Sequence, residues 1–343
     1  MANSKPKLAL YWASSCGGCE IAVLAVHEKI LDVAEAFDIV FWPCVTDFKE
    51  KDVEALDDGE IDVCLFNGAI RNDENEHMAR LLRRKSKVLV AYGSCAIEGC
   101  IPGLANFSDR EQMFQFIYHD SPSTENPHGV EPQTRTNVPE GELTLPAFWN
   151  TVRTLDQVVP VEYYLPGCPP EAQWTQAAIE AILSGELPPP GSVIGLDVSV
   201  CDECTRERSE KKIKRFYRPY EIIPDPDLCL LDQGLFCAGI ATRAGCGALC
   251  PQVNMGCRGC YGPVAGVEDG GARLISAIAS VLDAKTPEEI DAILDTLPDP
   301  AGYFYRFGLA RSLMQRTRLA RENGRRVAEP IAAIPRLDPC LKD

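Results

Sequence analysis

Sixteen cysteines among 343 residues dominate the chemistry available to this sequence. Cys16 and Cys19 stand three apart in "ASSCGGCE", directly after the apolar run "LALYW". A C-x-x-C behind a strand suits a redox dithiol or one edge of a metal site. Cys95 in "YGSCAIEG" and Cys168 in "LPGCPP" follow two further apolar runs, so a third and a fourth thiol are at hand, which a dithiol does not need. Eight more lie between positions 201 and 260: Cys201 and Cys204 in "CDEC", then Cys229 and Cys237, Cys246 and Cys250 in "GCGALCP", and Cys257 and Cys260 in "CRGC". Eight thiolates make two Cys₄ sites, and the twelve together make three.

Zinc ribbons also use such pairs, so a zinc-stabilised binding or scaffold protein is the rival of a different class. Iron–sulfur clusters are favoured because no histidine accompanies any pair and because Cys168 and Cys250 precede proline. Three sites in one chain also make sense as a conducting series. Cys64 lies inside an apolar run ("VCLF") and reads as a small buried hydrophobe. Cys44, Cys100 and Cys340 read as structural, although Cys100 could compete with Cys95 as a ligand. His27, His77, His119 and His128 have no ligand-like neighbours in sequence and are assigned no metal.

The elements that must position these thiols alternate. "LALYW", "DIVFW", "IDVCLFNG", "KVLVAYG" and "VEYYLPG" read as buried strands. "EIAVLAVHEKILDVAEAF", "DENEHMARLLRRK" and "PPEAQWTQAAIEAILSG" read as helices, the last with proline at its start and glycine just past its end. Strands alternating with helices imply a doubly wound parallel sheet, whose sites form beyond the carboxyl ends of the strands. Cys16, Cys19, Cys95 and Cys168 fall on three such ends. Residues 120–146 carry five prolines and no clear period, a loop that is functional, covered by a partner, or disordered. "ELPPPGS" at 186–192 is a stiff linker. Later, "TPEEIDAILDTL" has Thr286 and Glu289 in capping-box register, and "YFYRFGLARSLMQRTRLARE" reads as a last helix.

Apolar residues at 45% allow a sizeable core, and a net charge of −16 disfavours general binding to nucleic acid or anionic membrane. No uncharged apolar stretch of about 18 residues predicts a membrane span. The N-terminus shows neither an h-region nor a twin-arginine pair, which predicts a cytoplasmic protein. In that compartment thiols serve metals better than disulfides.

"SCGGCE", "GSCA" and "PGCPP" resemble the proximal-cluster motifs of the small, electron-transferring subunit of [NiFe] hydrogenases. The resemblance implies a flavodoxin-like domain over residues 1–187 holding a proximal cluster on Cys16, Cys19, Cys95 and Cys168. It implies a small irregular, ferredoxin-like iron–sulfur domain over 195–265 and a helical C-terminal extension over 266–343. Membrane-bound and periplasmic members begin the distal set with a histidine. Cys201 stands in its place here, so the distal set becomes Cys201, Cys204, Cys229 and Cys237. Cys246, Cys250, Cys257 and Cys260 would form the medial set, with four ligands where those members have three. Three [4Fe–4S] clusters follow. The wording of "LCLLDQGLFCAGIATRAGCGALCPQVNMGCRGCYGP" and "DPAGYFYRFGL" is most similar to the gamma subunit of methyl-viologen-reducing, F(420)-non-reducing enzymes. A deazaflavin-reducing hydrogenase or a sulfhydrogenase could use a similar chain. The related quinone-reductase subunit has adjacent cysteines in its first motif and lacks the second domain.

The resemblance further implies that hydrogen is split at nickel and iron in a separate large subunit. Electrons would pass from the proximal cluster through the medial to the distal and on to a [2Fe–2S] or heterodisulfide reductase-type partner. Glu20, directly after Cys19, reads as a carboxylate favoured at a helix start, or as a neighbour of the large-subunit contact. The run "RERSEKKIKRFYR" at 206–218 has seven basic and two acidic residues. It reads as a solvated helix face, or as a docking patch for an acidic acceptor.

Overall fold

The computed structural model describes residues 5–209, 212–297 and 299–314, together with the backbone of 320–322 and 325–327. Nine strands organise the first half: β1 (Lys7–Trp12), β2 (Asp38–Phe41), β3 (Ile61–Asn67), β4 (Ile70–Asn72), β5 (Ser86–Tyr92), β6 (Arg135–Val138), β7 (Gly141–Thr144), β8 (Phe148–Arg153) and β9 (Tyr163–Leu165). Five of them form one sheet in the order β2-β1-β3-β5-β9, every pair parallel. Counting only these five, the order is 2-1-3-4-5, the flavodoxin-like winding, which reverses direction between β1 and β3.

Side-chain alternation explains why helices cover both faces. Ala9 and Tyr11 of β1, Cys64 and Phe66 of β3, and Leu89 and Ala91 of β5 pack with Met78, Leu81 and Leu82 of the helix Asp73–Lys85. Leu8 and Leu10, Val63 and Leu65, and Val90 and Tyr92 point the other way. There they meet Val23, Val33 and Ala178 from the helices Gly18–Leu24, Ile30–Ala36 and Ala172–Ser184. Strand period two feeds both layers. The helix Asp73–Lys85 starts where the sequence places it: the Asn72 side chain accepts the Asn75 N–H, acids fill the first turn and bases the last.

Three readings of the sequence need correction. The helix expected over 20–37 is broken into Gly18–Leu24 and Ile30–Ala36 by a 3₁₀ turn at His27–Lys29, where His27 takes φ 57°. Within the proline-rich stretch, β6 and β7 pair as an exposed antiparallel hairpin. Of the last helix expected over 303–322, the helical part stops at Phe304 and residues 306–314 run on as turns, while 315–319 lie outside the described residues. Packing overrides helical periodicity there, because Leu309 and Ala310 are buried and the Phe307 carbonyl accepts the Cys100 N–H at 3.0 Å.

The second half is cysteine-bearing loop closed by helices. Its core joins Val200, Ile213, Phe216, Leu231 and Phe236 to Leu274 and Ile278 of the helix Gly270–Ala279 and Ile293 of Pro287–Leu294. Cys204, Cys229, Cys237 and Cys246 pack against it. Thr286 and Glu289 form the expected capping box. No helix among the described residues is long and apolar enough to cross a membrane.

Candidate metal centres

Cys16 and Cys19 follow β1, Cys95 follows β5 at the second position of the helix Ser94–Glu98, and Cys168 follows β9. Adjacent parallel strands bring these ends together. The Cys19 thiol is pushed up by burial and then by Cys168, Cys16 and Cys100 beside it. Cys100 belongs to the same group: its thiol lies 3.6 Å from that of Cys168 and also bonds Cys95. Five thiols therefore converge where the sequence suggested four ligands and one competitor. Glycine is needed at position 93, which takes φ 83°. A Cβ there would sit 2.3 Å from the Cys19 sulfur.

Cys201, Cys204, Cys229 and Cys237 line one recess with Val200, Leu230, Gly239 and Pro251, flanked by Arg206 and Arg208. A Cβ on Gly239 would lie 3.5 and 3.6 Å from the sulfurs of Cys201 and Cys237. Four thiolates with no histidine among them form a donor set that fits an iron–sulfur core. Burial, then Cys237 and Cys229, push the Cys201 thiol up to about 12. Grouped thiolates of this kind call for a cationic core to hold their charge.

The remaining four also adjoin one another, and they lie between the other two groups. Burial, then Cys246, Cys168 and Cys250, raise the Cys260 thiol to about 12. Cys257 is raised by burial, then by Cys237, with Cys260 also near. Its N–H donates to the Cys237 sulfur at 3.3 Å. Cys260 thus faces the first group and Cys257 the group around the recess.

Of the leftover cysteines, Cys64 is fully buried in β3, as expected, and Cys44 is exposed. Cys340 lies outside the described residues. The Glu20 carboxylate is buried and accepts from Asn67 Nδ2 at 2.9 Å and from Trp42 Nε1; burial raises its pKa. His77 does have carboxylate neighbours, contrary to its sequence reading: Glu50, 2.8 Å away, and Glu54, all on the surface. His119 likewise bonds Glu131 at 2.8 Å.

The basic run is not a helix among the described residues. Arg206 is buried and donates to the carbonyls of Pro251, Asp225 and Leu228 at 2.8–3.0 Å, which ties down the recess. Lys214 pairs with Asp283 and Arg215 with Glu221. Lys211 and Glu210 lie outside the described residues. Two of the run's seven basic residues, Lys214 and Arg215, are thus ion-paired within the chain.

Several residues that matter escaped the sequence reading. Glu203, inside "CDEC", accepts the N–H groups of Gly245 and Gly247 at 3.0–3.1 Å and so fixes the loop of Cys246. Trp174 Nε1 and Gln173 Nε2 donate to the Gly245 carbonyl at 2.7 and 3.0 Å, and Glu171 N–H reaches the Tyr261 hydroxyl at 2.9 Å. Glu98 is buried at the seam, 3.9 Å from Arg311 and against Gly262. Burial raises its pKa to about 7, opposed by Arg311 and Arg243 and assisted by Asp156 and Asp269. An acid within a C-x-x-C was the one signal available for Glu203.

The family model described as NADH ubiquinone oxidoreductase, 20 Kd subunit, matches residues 16–182. The iron–sulfur subunit of the F420-non-reducing hydrogenase of Archaeoglobus profundus is 42% identical over 316 residues, 90% of this chain and 98% of that protein. An F420-non-reducing hydrogenase subunit of Methanothermobacter thermautotrophicus is 37% identical over 318 residues, 90% and 96%. A chain of an NAD+-reducing [NiFe]-hydrogenase crystal structure aligns with TM-score 0.45 and 30% identity over 53% of this chain and 92% of its own. On the identity and reach of those full-length relatives, the chain belongs to the family of F420-non-reducing hydrogenase iron–sulfur subunits, the small subunits of hydrogenases.

Proposed function

We propose that this chain is the cytoplasmic electron relay of a [NiFe] hydrogenase. It would take electrons from hydrogen oxidised in a large subunit and hand them to an acceptor of the [2Fe–2S] or heterodisulfide reductase type. Cys16, Cys19, Cys95 and Cys168 in residues 1–187 hold the proximal [4Fe–4S] cluster. Cys246, Cys250, Cys257 and Cys260 hold the medial one, and Cys201, Cys204, Cys229 and Cys237 the distal one, both within 195–265. The observation that carries this reading is the single recess lined by the last four thiols. The clusters supply reversible one-electron storage.

The chain's residues do the rest. Thiolates fix each core, and apolar neighbours such as Val200 and Leu230 line the recess and lower its polarity. Backbone donors to sulfur, such as Cys257 N–H to Cys237, stabilise the more negative state and tune its potential. The chain moves no proton in this scheme. The anaerobically purified protein should contain about twelve irons and no zinc, three cubes of four. A colourless, zinc-containing chain would end the relay reading. About eight irons would mean that one thiol set is wrongly drawn, with Cys100 in the place of Cys95 the first exchange to try.

A further inference from the structure

Ser94 stands where the first two thiol groups meet. It precedes Cys95 in the chain and is 1% exposed. Its N–H donates to the Gly167 carbonyl at 2.8 Å, and its hydroxyl accepts the Gly167 N–H at 3.3 Å, so it grips the residue before Cys168 from both sides. A hydroxyl has one proton to give, and Ser94 gives it to the carbonyl of Cys260. One side chain therefore joins the backbone beside two first-group cysteines to a cysteine of the middle group. On the far side of that middle group, the Cys257 N–H donates to the Cys237 sulfur.

We propose that Ser94 is the positioning residue of the electron path from the first site to the second, its hydroxyl bond to Cys260 forming the bridge. The Cys257 N–H to Cys237 sulfur contact forms the corresponding bridge from the second site to the third. This inference rests on the relay reading above. Electronic coupling is carried better through bonded atoms than across a gap: the Cys257 N–H spans the second junction, and at the first the Ser94 bond holds the Cys260 carbonyl beside Cys168, whose own N–H reaches the Cys260 sulfur. One electron is lost on the Cys95 side and one is gained on the Cys260 side. The hydroxyl keeps its proton throughout. Ser94 also supplies the half-buried Cys260 carbonyl with a donor, which a methyl group could not do.

The test uses the assembled hydrogenase complex with Ser94→Thr and Ser94→Val, side chains of nearly equal volume that differ in the hydroxyl. Iron content and hydrogen–deuterium exchange by the complex should match the parent in both. The magnetic interaction between neighbouring reduced sites, read by EPR, should persist in the threonine variant and weaken in the valine variant. Electron delivery to the acceptor should fall several-fold in the valine variant alone. Amide exchange over residues 257–262 should rise about fivefold in that variant, as for the loss of one net hydrogen bond. Equal EPR interaction and equal delivery in the two variants, with iron intact, overturns the bridge. Where a branched Cβ disturbs the start of the helix, Ser94→Ala serves in its place: full coupling in it overturns the bridge. A parent complex that lacks iron would instead overturn the relay reading on which the bridge depends.

Discussion

The nearness of Cys16, Cys19, Cys95 and Cys168 was legible in the sequence, since strand ends of a parallel sheet converge. Ser94 and Glu203 were not legible, because they act on backbone atoms of distant residues; the carbonyl that Ser94 meets is 166 positions away. Sequence spacing has no means of marking such a partner. The glycines between the two cases can be tested one at a time. Gly93→Ala places a Cβ 2.3 Å from the Cys19 sulfur at a φ of 83°, where a side chain is already disfavoured. The sulfur must move, so the variant should lose about four irons and keep about eight, as measured on the purified complex. Full iron content would show that the loop yields without releasing its core.

Among the elements, periodicity revealed what is buried on both faces. All five sheet strands were readable as apolar runs, and the helix Asp73–Lys85 matches its reading residue for residue. The long helix after β1 was misread because one apolar period runs through the turn at His27, where the two short helices part. The segment after Phe304 was misread for a tertiary reason: its apolar residues pack against the first half instead of along one helix face. The helix Ala172–Ser184 has a task beyond covering the sheet, since Trp174 reaches the carbonyl before Cys246. Trp174→Phe keeps the ring packing and removes that bond, worth about 1 kcal/mol net. Amide exchange over residues 245–250 should quicken about fivefold while the sheet is unchanged. An unaltered rate would mean that Gln173 on the same carbonyl, with Glu203 on the neighbouring N–H groups, suffices to hold the loop.

At the scale of the whole molecule, the three thiol groups form a series with Cys168 and Cys260 at one junction and Cys257 and Cys237 at the other. Cys204 belongs to the far end, beside the recess. Cys204→Ser should therefore spare hydrogen–deuterium exchange by the complex and strongly impair delivery to the natural acceptor. Loss of isotope exchange in an assembled complex would place Cys204 elsewhere in the series. Glu98 makes the seam itself sensitive to pH. Its pKa rises from the usual carboxylate range to about 7, chiefly through burial, so the folded state favours its protonated form. The stability it contributes is present below about pH 4.5 and is lost as the pH rises to about 7, on the order of 3 kcal/mol. In Glu98→Gln the fall in melting temperature between pH 5 and pH 8 should shrink; an unchanged fall would assign it to other groups. The turns at 306–314 have a different bearing, on the order of events in synthesis. Phe307 accepts the N–H of Cys100, the Ala310 carbonyl accepts from Gln157, and Arg311 reaches the carbonyl of Ile97 and the carboxylate of Asp156. The wall behind Cys95 is thus built from residues that leave the ribosome some two hundred positions after it. A growing chain can wind its sheet early but cannot close the wall of the first thiol pocket until residues 307–311 have been made.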